Sequence, residues 1–181
     1  LYSYYKSDGH DMAQSEKELR FNINKSYDLY HYLLVLIIDI VLYAESRIEL
    51  AKNKRIPTHE DLHPNTRFID NALVEQLRNN EQLLRYLEAK KLSWVQYPEL
   101  IKELYQQVTG SEEYRTYMEA ERTGYNEDKK FIAWIFTHVI LPNPSLEDVM
   151  EEQSIYWNDD LEFIISMVVK TLKRFREGDG S

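Results

Sequence analysis

The segment His59-Glu60-Asp61-Leu62-His63 has the residue types and spacing of a zinc-hydrolase motif. On a continuous helix, two histidines at this spacing lie on one face and can share a zinc ion, with the glutamate beside the metal-bound water. Here Pro57 precedes the motif and Pro64 follows it directly. A proline biases the residue before it away from helical geometry, so we expect His63 to leave the helix. The sequence therefore predicts a polar loop without metal, with a zinc hydrolase as the alternative that metal analysis would decide.

No other pattern in the sequence indicates catalysis. The chain contains no cysteine, which excludes disulfides, zinc ribbons and iron–sulfur clusters, and it has no nucleophile elbow or phosphate-binding glycine loop. His31 and His138 are isolated on apolar helices and are predicted to be satisfied core or boundary residues rather than ligands. Asp39 lies within an apolar run and is either catalytic or, as we favour, hydrogen-bonded to a helix end or a tyrosine hydroxyl. We predict no enzyme, no catalytic residue, no metal and no cofactor.

The elements that must position any site are predicted to be helices throughout. Of the 181 residues 43% are hydrophobic, and only 5 Gly and 5 Pro occur, too few for a β-fold with many turns. A capping-box pattern, Ser15-x-x-Glu18, predicts one helix start, and a longer helix is predicted from Ser26 to about Asn53. The sequence predicts an all-α bundle whose further helices, after a loop at 56–67, lie near 68–78, 80–91, 98–109, 111–121 and 127–141 (capped by Asn126), from Ser145, and from Asn158 or Asp159.

The 26–53 helix is predicted to be the centre of the core. Its apolar residues recur at helical spacing and include Ile37, Ile38 and Leu42. The run 33–43 is shorter than the roughly 20 residues that a membrane span needs, and Asp39 interrupts it, so no membrane segment is predicted. The three tryptophans are also expected in the core: Trp94, Trp134 and Trp157.

The charge distribution leaves two interpretations open. The chain has 22 Lys and Arg against 31 Asp and Glu, a net charge of −9, which argues against nucleic-acid binding by the whole surface. Basic clusters at 52–55 and 170–176 either stabilise helix C-termini or form an RNA patch. The acidic run at 147–162 is either a solvated face or a docking surface for a basic protein.

Three segments resemble the NusB transcription antitermination family. They are Leu1-Tyr2-Ser3-Tyr4-Tyr5, which is similar to the end of the family's first helix, the helical stretch 128–140, and the stretch 156–164. The resemblance implies an all-helical fold of two packed three-helix bundles. Under it, 1–153 is an N-terminal NusB-like region with a helical insertion at about 54–125, and 154–181 begins a second half-domain. The chain is then expected to be truncated at both ends.

The resemblance also implies a function. Family members are non-enzymatic cytoplasmic factors that bind the boxA element of ribosomal RNA. They act together with NusE, a small-subunit ribosomal protein, in an RNA polymerase antitermination complex. By position, Tyr2 matches a tyrosine that contacts RNA bases, and Tyr156 lies in a second RNA-facing region. The alternative is a helical protein–protein interaction module that binds no RNA.

Overall fold

The protein is all-helical, as predicted. A computed structural model describes residues 2–153 and 155–177, with side chains for 12–17, 25–152 and 161–177, and no strand occurs in these ranges. The helices are α1 (Tyr2–Lys52), α2 (His59–Leu62), α3 (Ala72–Arg78), α4 (Glu81–Lys90), α5 (Pro98–Thr109), α6 (Glu112–Glu119), α7 (Tyr125–Ile135) with a π-helical turn (Phe136–Ile140), α8 (Pro144–Gln153) and α9 (Ile155–Arg174).

Helix α1 is continuous, so the predicted helix end after Tyr5 and the starts at Ser15 and Ser26 are wrong. A capping serine begins a helix only where the preceding residues are not helical. No glycine or proline lies between 10 and 56. Once both flanking stretches are helical, extending the helix through the join adds a hydrogen bond for each residue and avoids a second nucleation.

The central position of α1 is confirmed. Its buried residues include Leu33, Ile37 and Ile40, each 0% exposed, and it packs against α3, α4, α5 and α9. Leu42, which we placed on the apolar face, is 40% exposed. The buried stripe of a helix covers only part of its circumference. Ile40 and Val41 lie within this stripe, whereas Leu42 lies on the side that faces solvent.

The tryptophan predictions have three outcomes. Trp94 is buried, stacks on Tyr32 with ring centroids 3.9 Å apart, and donates from Nε1 to the Tyr32 carbonyl at 2.8 Å. Trp134 is only partly buried at the edge of the core. The side chain of Trp157 lies outside the described residues.

Several helix boundaries differ from the predictions because other residues supply the caps. Helix α7 follows Gly124 rather than Asn126. The Asn143 side chain accepts a hydrogen bond from the Leu146 amide at 3.0 Å, so it caps α8 in place of Ser145. Pro98 begins α5 and Gly110 follows it, as predicted. In the described ranges, no helix is both long and apolar enough to cross a membrane.

Candidate functional site

His63 leaves helical geometry directly after α2, as predicted, with φ −126° and ψ 62°. The two histidines of the zinc-like motif nevertheless lie close together. Their ring centroids are 4.5 Å apart, and the His63 amide donates to the His59 carbonyl at 2.9 Å. Thr58 and Asp61 form a capping box, which starts α2 inside the loop predicted at 56–67. Helix α2 is a single turn that ends at Leu62, so Pro64 lies beyond the residues whose helical geometry it would disrupt.

The motif nevertheless lacks the other ligands of a zinc site. Asp61 accepts hydrogen bonds from the Thr58 amide at 2.9 Å and from Lys54 Nζ at 3.4 Å. These interactions, first the Thr58 backbone bond, lower the pKa of Asp61. No group of three or more His, Asp or Glu side chains that could hold a metal ion occurs in the part of the chain that the structure describes. The absence of zinc thus stays a prediction, now argued from ligand number.

The isolated polar residues of the helices differ in their surroundings. His31 is buried, its Nδ1 lies 2.7 Å from the Tyr27 carbonyl oxygen, and burial lowers its pKa. His138 is exposed and lies at the boundary of the core, where it stacks on Trp134 and its Nδ1 lies 3.3 Å from the Trp134 carbonyl oxygen. Asp39 makes no hydrogen bond or ion pair with any described residue, against the expected hydrogen bond, and desolvation by burial raises its pKa to about 6.

A cavity of about 360 Å³ lies between α6 and α7. We call it the aromatic pocket, and its rings belong to Tyr117, Phe131 and Trp134. Tyr117 and Phe131 stack with centroids 4.2 Å apart and planes 10° apart. Phe131 and Trp134 are 6.1 Å apart with planes 5° apart. The three rings are thus nearly parallel, which is the arrangement that a flat ligand could join.

A buried hydrogen-bond network positions the Tyr117 ring. The Tyr117 hydroxyl donates to Asp128 Oδ1 at 2.7 Å and accepts from Asn71 Nδ2 at 3.1 Å. Asp128 Oδ2 accepts from the Ala72 amide at 2.9 Å, and Asn71 Oδ1 accepts from two further amides of α3. Burial, followed by the bond to Asp128, raises the pKa of Tyr117, so the hydroxyl stays a donor. The network joins α3, α6 and α7.

Arg67 closes one side of the pocket. Its guanidinium lies 4.2 Å from the centroid of the Tyr117 ring, a cation–π contact. It also donates to the carbonyls of Tyr117, of Ala120 at 3.4 Å and of Arg122 at 3.3 Å. Arg67 therefore holds the connection between α6 and α7 in place.

Beside the aromatic pocket lies a larger polar cleft of about 880 Å³, where the start of α7 meets the end of α9. We call it the cationic cleft. Its charged lining consists of Arg122, Lys129, Lys173, Arg174 and Arg176, against Glu127 and Glu177. The cations outnumber the carboxylates, although the chain as a whole is acidic.

The cations of the cleft are not all equally available. Lys129 Nζ donates to the carbonyls of Lys173 at 2.7 Å and Phe175 at 2.6 Å, so it stabilises the end of α9. Arg122 Nε lies 3.6 Å from Glu127 Oε1 in an exposed ion pair. Lys173 and Arg174 form no ion pair with the described residues, and they remain free to meet an anion.

Two of the three cations in the other basic cluster are already paired with carboxylates. In the 52–55 cluster, Lys52 Nζ lies 3.7 Å from Glu49 Oε1. Lys54 Nζ lies 3.4 Å from Asp61 Oδ1. Of the two clusters that the sequence left open as RNA patches, the one at 170–176 contributes to a cleft. Surface ion pairs contribute little to stability, and an anion that binds at such a cation competes with the paired carboxylate.

The aromatic pocket and the cationic cleft are adjacent, because Arg122 and Glu127 line both. Sequence reasoning missed this site. The spacing Phe131-x-x-Trp134 places both rings on one face of α7, but the same spacing is typical of core residues and does not by itself indicate a pocket. The predicted RNA contacts Tyr2 and Tyr156 have side chains outside the described residues.

Comparison with protein-family models, with curated proteins and with solved structures finds no match to this chain.

Proposed function

We propose that this protein is a non-catalytic, cytoplasmic factor that binds single-stranded RNA. The observation that carries the proposal is the aromatic pocket lying directly beside the cationic cleft, with Arg122 and Glu127 lining both. Binding to single-stranded RNA needs cations that follow the backbone and rings on which bases stack. The described part of the chain brings both together at one place on an otherwise acidic protein.

The finer role rests on the sequence resemblance. We propose that the RNA is of the boxA type and that binding occurs together with NusE in an RNA polymerase antitermination complex. Tyr2 and Tyr156 would then supply further contacts to RNA bases. A Tyr2→Ala variant should lose about 1–3 kcal/mol of RNA affinity, the usual contribution of one base–aromatic stack, with its melting temperature unchanged.

A second candidate function is a protein–protein interaction module. The observation that favours it is the exposed acidic face of α8, formed by Glu147, Asp148, Glu151 and Glu152. Carboxylates at this density attract a basic protein and repel RNA. RNA affinity distinguishes the two functions.

The test compares two variants with the same change in charge. In one, Arg122, Lys173 and Arg174 of the cationic cleft are replaced by Gln. In the control, Lys52, Lys54 and Arg55 are replaced by Gln. Fluorescence anisotropy with boxA RNA and with scrambled RNA, with and without NusE, is recorded over a salt series.

We expect the cleft variant to bind boxA RNA more weakly. The slope of log affinity against log salt should become shallower by about 2, since each contact to a single strand contributes about 0.7. The control variant should bind like the wild type. Equal losses in both variants would refute a local cleft. No preference for boxA with NusE present would refute the antitermination role, and no RNA binding at all would favour the interaction module.

A further inference from the structure

We infer that the aromatic pocket binds one unstacked RNA base and prefers guanine to uracil. This inference rests on the proposed function, and it names what the pocket holds while the cationic cleft binds the neighbouring phosphates. The cavity volume of about 360 Å³ lies in the range typical of small-ligand sites, about 300–1,000 Å³.

The ring geometry indicates a flat ligand. Tyr117, Phe131 and Trp134 are nearly parallel, and the series continues to His138, which stacks on Trp134 at 5.3 Å and 12°. Arg67 covers the Tyr117 ring and Phe131 is only 5% exposed, so the accessible aromatic surface is that of Trp134. Trp134 is only partly buried, which leaves part of its ring for contact. A base that lies parallel to these rings gains stacking without displacing a core residue.

The neighbouring charge indicates that the flat ligand belongs to a nucleic acid. An aromatic side chain of a partner protein carries no negative charge that the cations next to the pocket could neutralise. A nucleotide carries its phosphate next to its base, and the shared residue Arg122 lies between the two cavities. Base and phosphate can therefore be bound at the same time.

The rim of the pocket gives the base preference. Glu112 is paired with Arg115 and Glu127 with Arg122, whereas the exposed Glu113 pairs with none of the described residues. A carboxylate accepts hydrogen bonds from the amino and imino groups of a base edge. Guanine presents two adjacent donors on its Watson–Crick edge, while uracil presents one donor between two acceptors that a carboxylate repels. Glu113 therefore favours guanine.

The experiment uses three RNA nonamers that differ only in the central nucleotide. The centre is guanosine, uridine or an abasic ribose, and the flanking residues are all abasic ribose, so that no flanking base can enter the pocket. Affinity for the purified chain is measured by anisotropy at one low salt concentration. We expect the guanosine nonamer to bind about 5- to 150-fold more tightly than the abasic one, as one stacked base predicts, with the uridine nonamer between them.

Two variants test the stacking and one tests the preference. Trp134→Leu removes a ring, and Thr116→Trp fills the mouth of the pocket without removing one; both should abolish the difference between guanosine and abasic RNA. Glu113→Gln should reduce the preference for guanosine over uridine while both still bind better than abasic RNA. Tyr27→Leu changes an exposed ring outside the pocket and should leave all three affinities unchanged.

The outcomes separate this inference from the proposed function. If the wild type binds the three nonamers equally and the cleft variant weakens all of them, RNA binding stands and the base pocket is refuted. A difference that persists in both Trp134→Leu and Thr116→Trp also refutes it. If no nonamer binds, both proposals fall.

Discussion

The hydroxyl of Tyr117 donates a 2.7 Å hydrogen bond to Oδ1 of Asp128, and both residues are buried. The bond joins α6 to α7, and Asp128 in turn accepts from the first amide of α3. The stacking of Tyr117 on Phe131 therefore depends on a polar group in the interior. Loss of one member of a buried polar network lowers the stability of the fold. The remaining polar groups then have neither a protein partner nor a water molecule to hydrogen-bond.

Tyr117→Phe should lower the free energy of unfolding by about 1–3 kcal/mol, because Asp128 and Asn71 each lose a partner. Urea denaturation measures the change. Tyr114→Phe is the matched control, since Tyr114 also packs near Phe131 and its hydroxyl bonds to none of the described residues. Equal effects of the two substitutions would mean that the hydrogen bond contributes nothing.

Ile37→Asp should unfold the protein, because its side chain is 0% exposed at the centre of α1. A buried, unpaired carboxylate costs several kcal/mol against a typical total stability of about 5–15 kcal/mol. Circular dichroism during heating measures the loss of helix. Leu50→Asp, on the same helix but at a side chain 60% exposed, should melt like the wild type. A melting temperature of Ile37→Asp equal to that of the wild type would contradict the central position of α1 in the core.

Asp39→Asn should stabilise the protein at pH 8 and have little effect at pH 4. Desolvation raises the pKa of Asp39 to about 6 in the folded chain, against an ordinary value near 3.8. Between these values the folded state binds more protons than the unfolded state, so the contribution of Asp39 to stability falls as pH rises from about 4 to about 6. Above that window the charged carboxylate destabilises the fold, and the amide removes this cost.

Denaturant unfolding at pH 4, 6 and 8 measures the difference between Asp39→Asn and the wild type. Asp148→Asn, at an exposed position on α8, controls for the change in net charge. A difference that does not grow between pH 4 and pH 8 would contradict the desolvation of Asp39.

The purified protein should contain far less than one zinc ion per chain. His59 and His63 are adjacent, but two exposed imidazoles provide fewer protein ligands than the three of a catalytic zinc site. Elemental analysis after gel filtration measures the content, with His63→Ala as the control. One zinc per wild-type chain that disappears in His63→Ala would establish the metal site we do not expect.

The local features of the fold could be predicted from the sequence. The apolar residues of α1, such as Leu33 and Ile37, recur with the period of a helix, and burying that stripe requires a bundle. Pro98 and Gly110 mark the ends of α5 because each acts on its own backbone. Such signals need only neighbouring residues, which is why the helical class and most helix positions followed from them.

Tertiary structure alone decided the candidate site. Arg67, Tyr117 and Phe131 are far apart in sequence, and neither their types nor their spacing indicates that one ring stacks between a guanidinium and a phenyl group. The cationic cleft likewise forms only because the start of α7 packs beside the end of α9. Packing between helices depends on side chains from several segments at once, so the pocket, the cleft and the shared Arg122 could not be read from any single pattern.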